Sequence, residues 1–347
     1  ANDAPVLSHL QGDALTYTEN GPATAIDQSG DATLSDVDGD AEWDGGTLTV
    51  QVAANAEATD ELSISTTVSI NVSGTELLDN TTVIGTLNPS GGVVTHDATL
   101  TITFNSVATN ARVQSVLRAI AYRTTSDAPG ASARTVRFVA TDKNSAGSGN
   151  VDATVNVTAV NDAPVFTGLD NTPGFTEGGS AVVLDADATL ADAELDAAGN
   201  YSGATLRIVR NGGSNGDDVF ASSGNLGTLT QEGALTLSDA TKGTVTTHSG
   251  GTLWLTFDGN ATPGDVDAIL QAITYANSSS APPSSVSLDY TFSDGTTVSQ
   301  GTGGAQTGTG HVTVSITPVN DAPVLADQTP TLTAIDEDNT TSAGNTV

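Results

Sequence analysis

The sequence predicts an all-β chain of Greek-key-type β-sandwich domains in tandem, each carrying one short added helix. Three observations predict it. A hexapeptide recurs at a constant interval, most apolar residues alternate with polar ones, and Gly, Asn, Asp and Pro interrupt the alternation every few residues.

The repeat sets the domain organisation. Asn2-Asp3-Ala4-Pro5-Val6-Leu7 returns as Asn161-Asp162-Ala163-Pro164-Val165-Phe166 and as Asn320-Asp321-Ala322-Pro323-Val324-Leu325, so its starts at 2, 161 and 320 lie 159 residues apart. Internal markers keep their order between copies. Tyr17-Thr18-Glu19-Asn20-Gly21 matches Phe175-Thr176-Glu177-Gly178-Gly179, and Asp31-Ala32-Thr33-Leu34-Ser35-Asp36 matches Asp187-Ala188-Thr189-Leu190-Ala191-Asp192. This self-similarity marks a duplicated array. The expected domains are 1–160, 161–319 and the opening of a third over 320–347. With no Met at position 1 and a stop inside the third copy, the chain reads as a window on a longer array.

Strands follow from period two. Leu48-Thr49-Val50-Gln51-Val52, Leu62-Ser63-Ile64, Val68-Ser69-Ile70-Asn71-Val72, Leu100-Thr101-Ile102-Thr103-Phe104 and Leu253-Trp254-Leu255-Thr256-Phe257 all alternate, as do Thr135 to Ala140 and Val286 to Phe292. One buried and one wet face is the signature of antiparallel sheets, and the frequent turn residues suit a sandwich. One segment per repeat breaks the pattern. Val113, Val116, Leu117 and Ile120, and again Val266, Ile269, Leu270 and Ile273, fall at i, i+3, i+4, i+7. That stripe predicts helices over about 109–120 and 262–273. Thr262, Pro263 and Asp265 supply an N-cap, a first-turn proline and a first-turn acid for the second.

Composition excludes several classes of function. Asp and Glu number 41 against 9 Lys and Arg, a net charge of −32. Nucleic acid needs a cationic footprint, and an anionic membrane surface repels such a chain. No apolar stretch is long enough to span a bilayer. Cysteine is absent, so no disulfide framework exists, and domains of this size do not require one. The four histidines show no metal-ligand spacing, no nucleophile constellation appears, and no glycine loop opens a helix to cradle phosphate. The chain is expected not to be an enzyme. Gly212-Gly213-Ser214-Asn215-Gly216-Asp217-Asp218 resembles a single turn of a calcium β-roll, but that architecture needs tandem copies, and a plain loop is expected. Trp43 and Trp254 offer stacking surfaces for sugars if exposed. Trp254 is expected in the core because it sits in an alternating strand, whereas Trp43 lies beside an acidic loop.

A strand running into Val-Asn-Asp-Ala-Pro-Val, then Thr-Glu-Asn or Thr-Glu-Gly, then Leu-Ser-Asp-Val-Asp, resembles the cadherin-like (Ig-like) repeats of giant bacterial surface proteins, the RTX-type adhesins and related extracellular arrays. The likeness covers both repeats; the length of the unit and the helix depart from an ordinary cadherin domain. It implies β-sandwiches joined end to end in a linear array, with Ca2+ at the junctions, in a protein secreted to the bacterial cell surface. It also implies the ligands. Glu19 with Asn161, Asp162, Asp192 and Glu194 would gather at one junction, and Glu177 with Asn320 and Asp321 at the next. Asn2, Asp3, Asp36, Asp38 and Asp40 would face a preceding repeat, and Asp142 and Asp294 would lie near in late loops. Such carboxylates and amides are the hard oxygen donors that calcium takes, although Asp and Asn are also common in plain turns. The implied function is that of structural extender repeats in adhesion, biofilm or surface filaments. The alternatives are a self-assembling surface-coat or fibre subunit, and a carbohydrate-binding module built on Trp43. Expected partners are neighbouring repeats of the same chain, possible copies of itself in a filament, and a glycan or cell-surface target reached through other regions.

Overall fold

The computed structural model describes residues 2–323 apart from position 68. Within them the chain builds two β-sandwiches, each around its own hydrophobic core. Val68 of the run Val68–Val72, and positions 324–347 of the third repeat, lie outside the described residues.

In the first unit, eight strands form one sheet in the order Ala14–Thr18, Val151–Thr158, Arg134–Thr141, Thr47–Ala54, Leu100–Phe104, Thr82–Asn88, Glu76–Asp79 and Ile70–Ser73. The facing sheet runs Val93–Thr95, Asp60–Ile64, Ile120–Thr124, Thr24–Ala25. In the second unit the large sheet has seven strands, Gly174–Thr176, Thr307–Thr317, Ser285–Ser293, Thr205–Arg210, Thr252–Phe257, Ala240–Ser249 and Ala234–Leu237. Its partner has three, Val182–Val183, Ile273–Asn277 and Asp218–Ser222. Alternation decides what is buried: Leu48, Val50 and Val52 point inward from one strand, and Leu206 and Ile208 from its counterpart. Each such side chain removed from water contributes about 1.5–3 kcal/mol.

Two pairings depart from the antiparallel expectation. The first strand of each unit lies parallel to the last: Ala14–Thr18 pairs with Thr154–Thr158, and Gly174–Thr176 with Ser315–Thr317. A chain that enters a sandwich at one end and leaves at the other runs both strands toward the exit. The glutamate that ends the first strand therefore meets the segment leaving the domain.

Helix α1 spans Asn110–Arg118, with Thr109 capping the Arg112 N–H. Ile120 closes its apolar stripe from the following strand. The second unit has two helices where one was expected. α2 spans Ala193–Ala198 and α3 spans Pro263–Ala272. α3 starts with the expected Thr262 cap, extended by Asp265 into a capping box. α2 escaped the periodicity because it is six residues long; its signals are Asp192 at the N-cap and Gly199 at φ 71° closing it. The first unit has a 3-10 turn there, Asp40–Trp43.

Trp254 is not in the core where it was expected, and Trp43, whose place the sequence left open, is. Trp43 is fully buried, packs edge-on to Phe104 and donates its indole N–H to Asn110 Oδ1 at 2.8 Å. The same Asn110 Oδ1 accepts the Asp36 N–H, so a polar loop folds over an aromatic anchor. A carbohydrate site on Trp43 is thereby excluded. Trp254 points to the wet face of its strand and is 38% exposed.

Each small sheet also buries an ionic group that alternation does not reveal. Asp60 accepts from Tyr122 OH and, at 3.2 Å, from Arg134 Nε. Asp218 accepts from Tyr275 OH at 2.6 Å and from Arg210 Nε at 2.7 Å. The Asp–Tyr pair is repeated, but its arginine comes from a different strand in each unit.

Candidate metal centre

Three elements converge where the two sandwiches meet. Glu19 follows the first strand of unit one, Asp162 lies in the linker, and Glu194 sits in the first turn of α2. One carboxylate oxygen of each lies within 4.8 Å of the other two.

Backbone bonds hold the group in place. The Glu19 N–H donates to Thr158 O, and Glu19 Oε2 in turn accepts the Val160 N–H at 2.8 Å. Glu194 Oε2 accepts the Asp162 N–H at 3.4 Å. Asn161 is buried and donates its amide to Asp294 Oδ2 and to Gly304 O, both at 2.7 Å. Asp192 spends one oxygen on capping α2 through the Leu195 N–H. The loop after Asp294 braces the linker from the other side, with Asn161 N–H to Thr302 O and Thr302 N–H to Ala159 O.

The remaining oxygens have no partner. Glu19 Oε1, Asn161 Oδ1, Asp192 Oδ2 and Glu194 Oε1 are all buried and accept no hydrogen bond. Leaving a buried acceptor unmade costs about 1–3 kcal/mol each. Adjacent carboxylates add repulsion of roughly 4 kcal/mol per pair at 4 Å and an effective dielectric of 20. Burial and this repulsion favour the protonated forms. Burial, then the charges of Asp192 and Asp162, push Glu194 up to about 7. Burial, then Asp294 and Asp196, push Asp192 up to about 6. Burial, then neighbouring carboxylates, also raises Glu19 and Asp162. Carboxylate and amide oxygens are the hard donors suited to calcium, and two of these four belong to Glu19 and Glu194 of the converging trio.

Asp127 is outside the converging trio, but its charge acts on it without a motif to announce it. It is exposed in the Ser126-Asp127-Ala128-Pro129 turn, and its charge raises both Glu19 and Asp162. The aligned turn of unit two carries Ser280 there, so the repeat offers no second copy to notice.

The other implied ligands fall into two further places. At the front of unit one, Asn2 donates to Asp142 Oδ2 at 2.7 Å, as Asn161 does to Asp294. The Asp3 N–H meets Asp38 Oδ2 at 2.6 Å, as the Asp162 N–H meets Glu194. Asp36 Oδ2 is buried without a partner. Burial and the charges of Asp38, Asp142 and Glu42 raise the Asp36 carboxyl. Glu42 is a second residue that the motif reading missed. Asp40 stands apart, accepting the Asn110 N–H at the start of α1. At the end of unit two, Glu177 Oε2 accepts the Val319 N–H at 2.7 Å, repeating the bond of Glu19 to Val160. Asn320 and Asp321 follow it, exposed.

Comparison with known proteins adds little to this geometry. No protein-family model and no curated protein matches the chain. Among solved structures, the first two extracellular domains of human protocadherin-24 align over 91% of this chain and 100% of that one, at 13% identity and a TM-score of 0.31. Human mucin-like protocadherin EC1-2 aligns over 92% and 100%, at 11% identity and a TM-score of 0.29. Mouse cadherin-23 EC22-24 aligns over 91% and 65%, at 13% identity and 0.26. Likeness at this level carries no argument, and the functional reading rests on the residues. Among the described residues, no helix is long and apolar enough to cross a membrane.

Proposed function

We propose that this chain is a run of structural extender modules from a large secreted bacterial surface adhesin or filament protein, stiffened by calcium at its seams. The observation that carries the reading is the trio Glu19, Asp162 and Glu194, drawn from one sandwich, the linker and the next sandwich. Mechanical coupling needs ligands from both bodies, and this is such a set. The bacterial and extracellular setting is supported by the resemblance of the Val-Asn-Asp-Ala-Pro-Val junctions alone.

Glu19, Asp162 and Glu194 would hold the ion, with the partnerless Asn161 Oδ1 beside Asp162 in the chain as a further donor. A bound calcium supplies the positive charge that lets all three carboxylates ionise together. Without it, burial and the neighbouring charges favour a proton on Glu194, and the carboxylates that stay ionised repel one another across the seam. The backbone bonds to Glu19 and the bracing by Thr302 tie the linker to each body, and the ion would add the link between the carboxylates themselves. Such a module is mechanical, not catalytic. Extracellular modules bind calcium at about 10⁻⁴–10⁻³ M, so the chain would stay loose in cytosol and stiffen once exported.

Thermal unfolding in millimolar calcium and in excess chelator tests this. The expected result is a higher Tm with calcium, because a ligand bound only by the folded state stabilises it. Most of the rise should vanish in Asp162→Ala. An unchanged Tm would sink the reading.

A further inference from the structure

The wet face of the seven-stranded sheet carries a pair of residues that unit one lacks. Strands Thr47–Ala54 and Leu100–Phe104 of unit one correspond to Thr205–Arg210 and Thr252–Phe257 of unit two. Leu48, Val50, Leu100, Ile102 and Phe104 are buried as Leu206, Ile208, Leu253, Leu255 and Phe257 are. In unit one Thr49 faces Thr101 across the strands; at the same register in unit two Arg207 faces Trp254. Thr291 lies beyond Arg207 and Thr247 beyond Trp254.

Neither residue is needed to build the sheet, since unit one does without both. Trp254 leaves 38% of its surface in water. Arg207 is the exception among the cations: eight of the nine Lys and Arg side chains form salt bridges with described carboxylates, and Arg207 forms none. On the matching face of unit one, Arg137 is clamped by both oxygens of Asp152. A chain with 41 acids has carboxylates to spare, so this guanidinium is kept free on a face poor in them. The nearest strand offers Asp289, which accepts from Asn211.

We propose that Arg207 and Trp254 form a binding site for a carboxylate-bearing sugar, a uronate residue in an acidic polysaccharide. Cross-strand partners hold their Cβ atoms about 5 Å apart, the span of one sugar ring. The indole takes the apolar C–H face of the ring. The guanidinium takes the carboxylate by two parallel hydrogen bonds. Thr247, next to a register shift in its strand, and Thr291 offer hydroxyls to either side along the row, and a row of this length suits a polymer rather than a small molecule. The net charge of the chain opposes long-range approach of a polyanion, but charges beyond about 8 Å are screened at physiological ionic strength, and the strand beside Arg207 carries a single acid, Asp289.

The chain has two tryptophans and Trp43 is fully buried, so a ligand on this face is read through Trp254 emission. The full chain is titrated with an oligogalacturonate hexamer and, separately, with a neutral hexaose, in sodium chloride without divalent ions. Expected is a saturable change with the uronate at about 1 mM or below. Arg207→Thr should weaken it about tenfold or more. Trp254→Thr, followed by calorimetry, should abolish it. Each variant installs the threonine that unit one carries at the same register, and their unfolding curves verify the fold. No saturable response to the uronate would overturn the proposal on the unaltered chain. Equal binding of the neutral hexaose, or undiminished binding by Arg207→Thr, would also overturn it.

Discussion

Glu194 shows how burial and charge act on a single residue. Its carboxyl, ordinarily near 4.5, is pushed up to about 7 in the folded chain. The folded state therefore holds the proton more tightly than the unfolded state. In chelator, the contribution of this group is complete below about pH 4.5 and is lost as the pH rises through about 7. Glu194→Gln removes that dependence while keeping the shape. Without calcium the variant should exceed the wild type at pH 8 by roughly 2–4 kcal/mol, and the gap should close toward pH 4.5. With calcium the order should reverse, because a ligand has been lost. Urea unfolding at both pH values, with and without calcium, checks all four cases; a wild type that matches the variant at pH 8 in chelator would show that Glu194 is not strained. Asn110 makes the same point for structure. Its Oδ1 accepts from both Trp43 and Asp36, so Asn110→Ala leaves two buried donors unmet. It should cost about 2–4 kcal/mol, read from the urea midpoint. The resemblance named Glu194 as a ligand, but neither its raised carboxyl nor the bonds of Asn110 were visible beforehand. The motifs named Asp36 and Asp162, but nothing in a linear reading assigns Asn110 to either.

At the scale of elements, periodicity found what repeats and missed what does not. The alternating strands and the stripes of α1 and α3 were legible because many positions vote for them. α2 was not, since six residues make less than two turns, and a cap is the main evidence. Trp254 was misplaced by the same logic: a period-two strand has two faces, and the identity of one residue does not say which it joins. The neighbours Leu253 and Leu255 do, since both are buried. The Asp60–Arg134 pair is another element-level feature, with both side chains fully buried. Breaking a buried pair strands its partner, so Arg134→Met should destabilise unit one by about 3–5 kcal/mol. Trp43 emission reports that unit's transition in urea. A shift below about 1 kcal/mol would mean that the pair is no more than a surface ion pair in energy.

At the scale of the molecule, the question is whether the seam sets the relation between the sandwiches. The chain has no cysteine, so labels at Val93→Cys and Val219→Cys, both exposed positions, report one distance across the junction. Electron-spin distance measurements should give a broad distribution in chelator and a narrower one in calcium. The narrowing should be lost in Asp162→Ala. Equal widths in both conditions would leave calcium with a role in stability but none in stiffness.

The sequence by itself determined the repeat, the all-β class, the two long helical stripes and most of the acids at the seam. These are properties of pattern, in which identical solutions to the burial problem recur along the chain. The tertiary structure alone decided which acids meet. Glu19 and Asp162 are far apart in sequence, and they become neighbours because the first strand runs parallel to the last and so delivers its glutamate to the exit of the domain. It also decided the fates of the two tryptophans and brought the charge of Asp127 to bear on Glu19 and Asp162. Carboxylates respond to every charge and cavity around them, whichever strand supplies it. Their chemistry therefore depends on distances in space, which the order of residues does not contain.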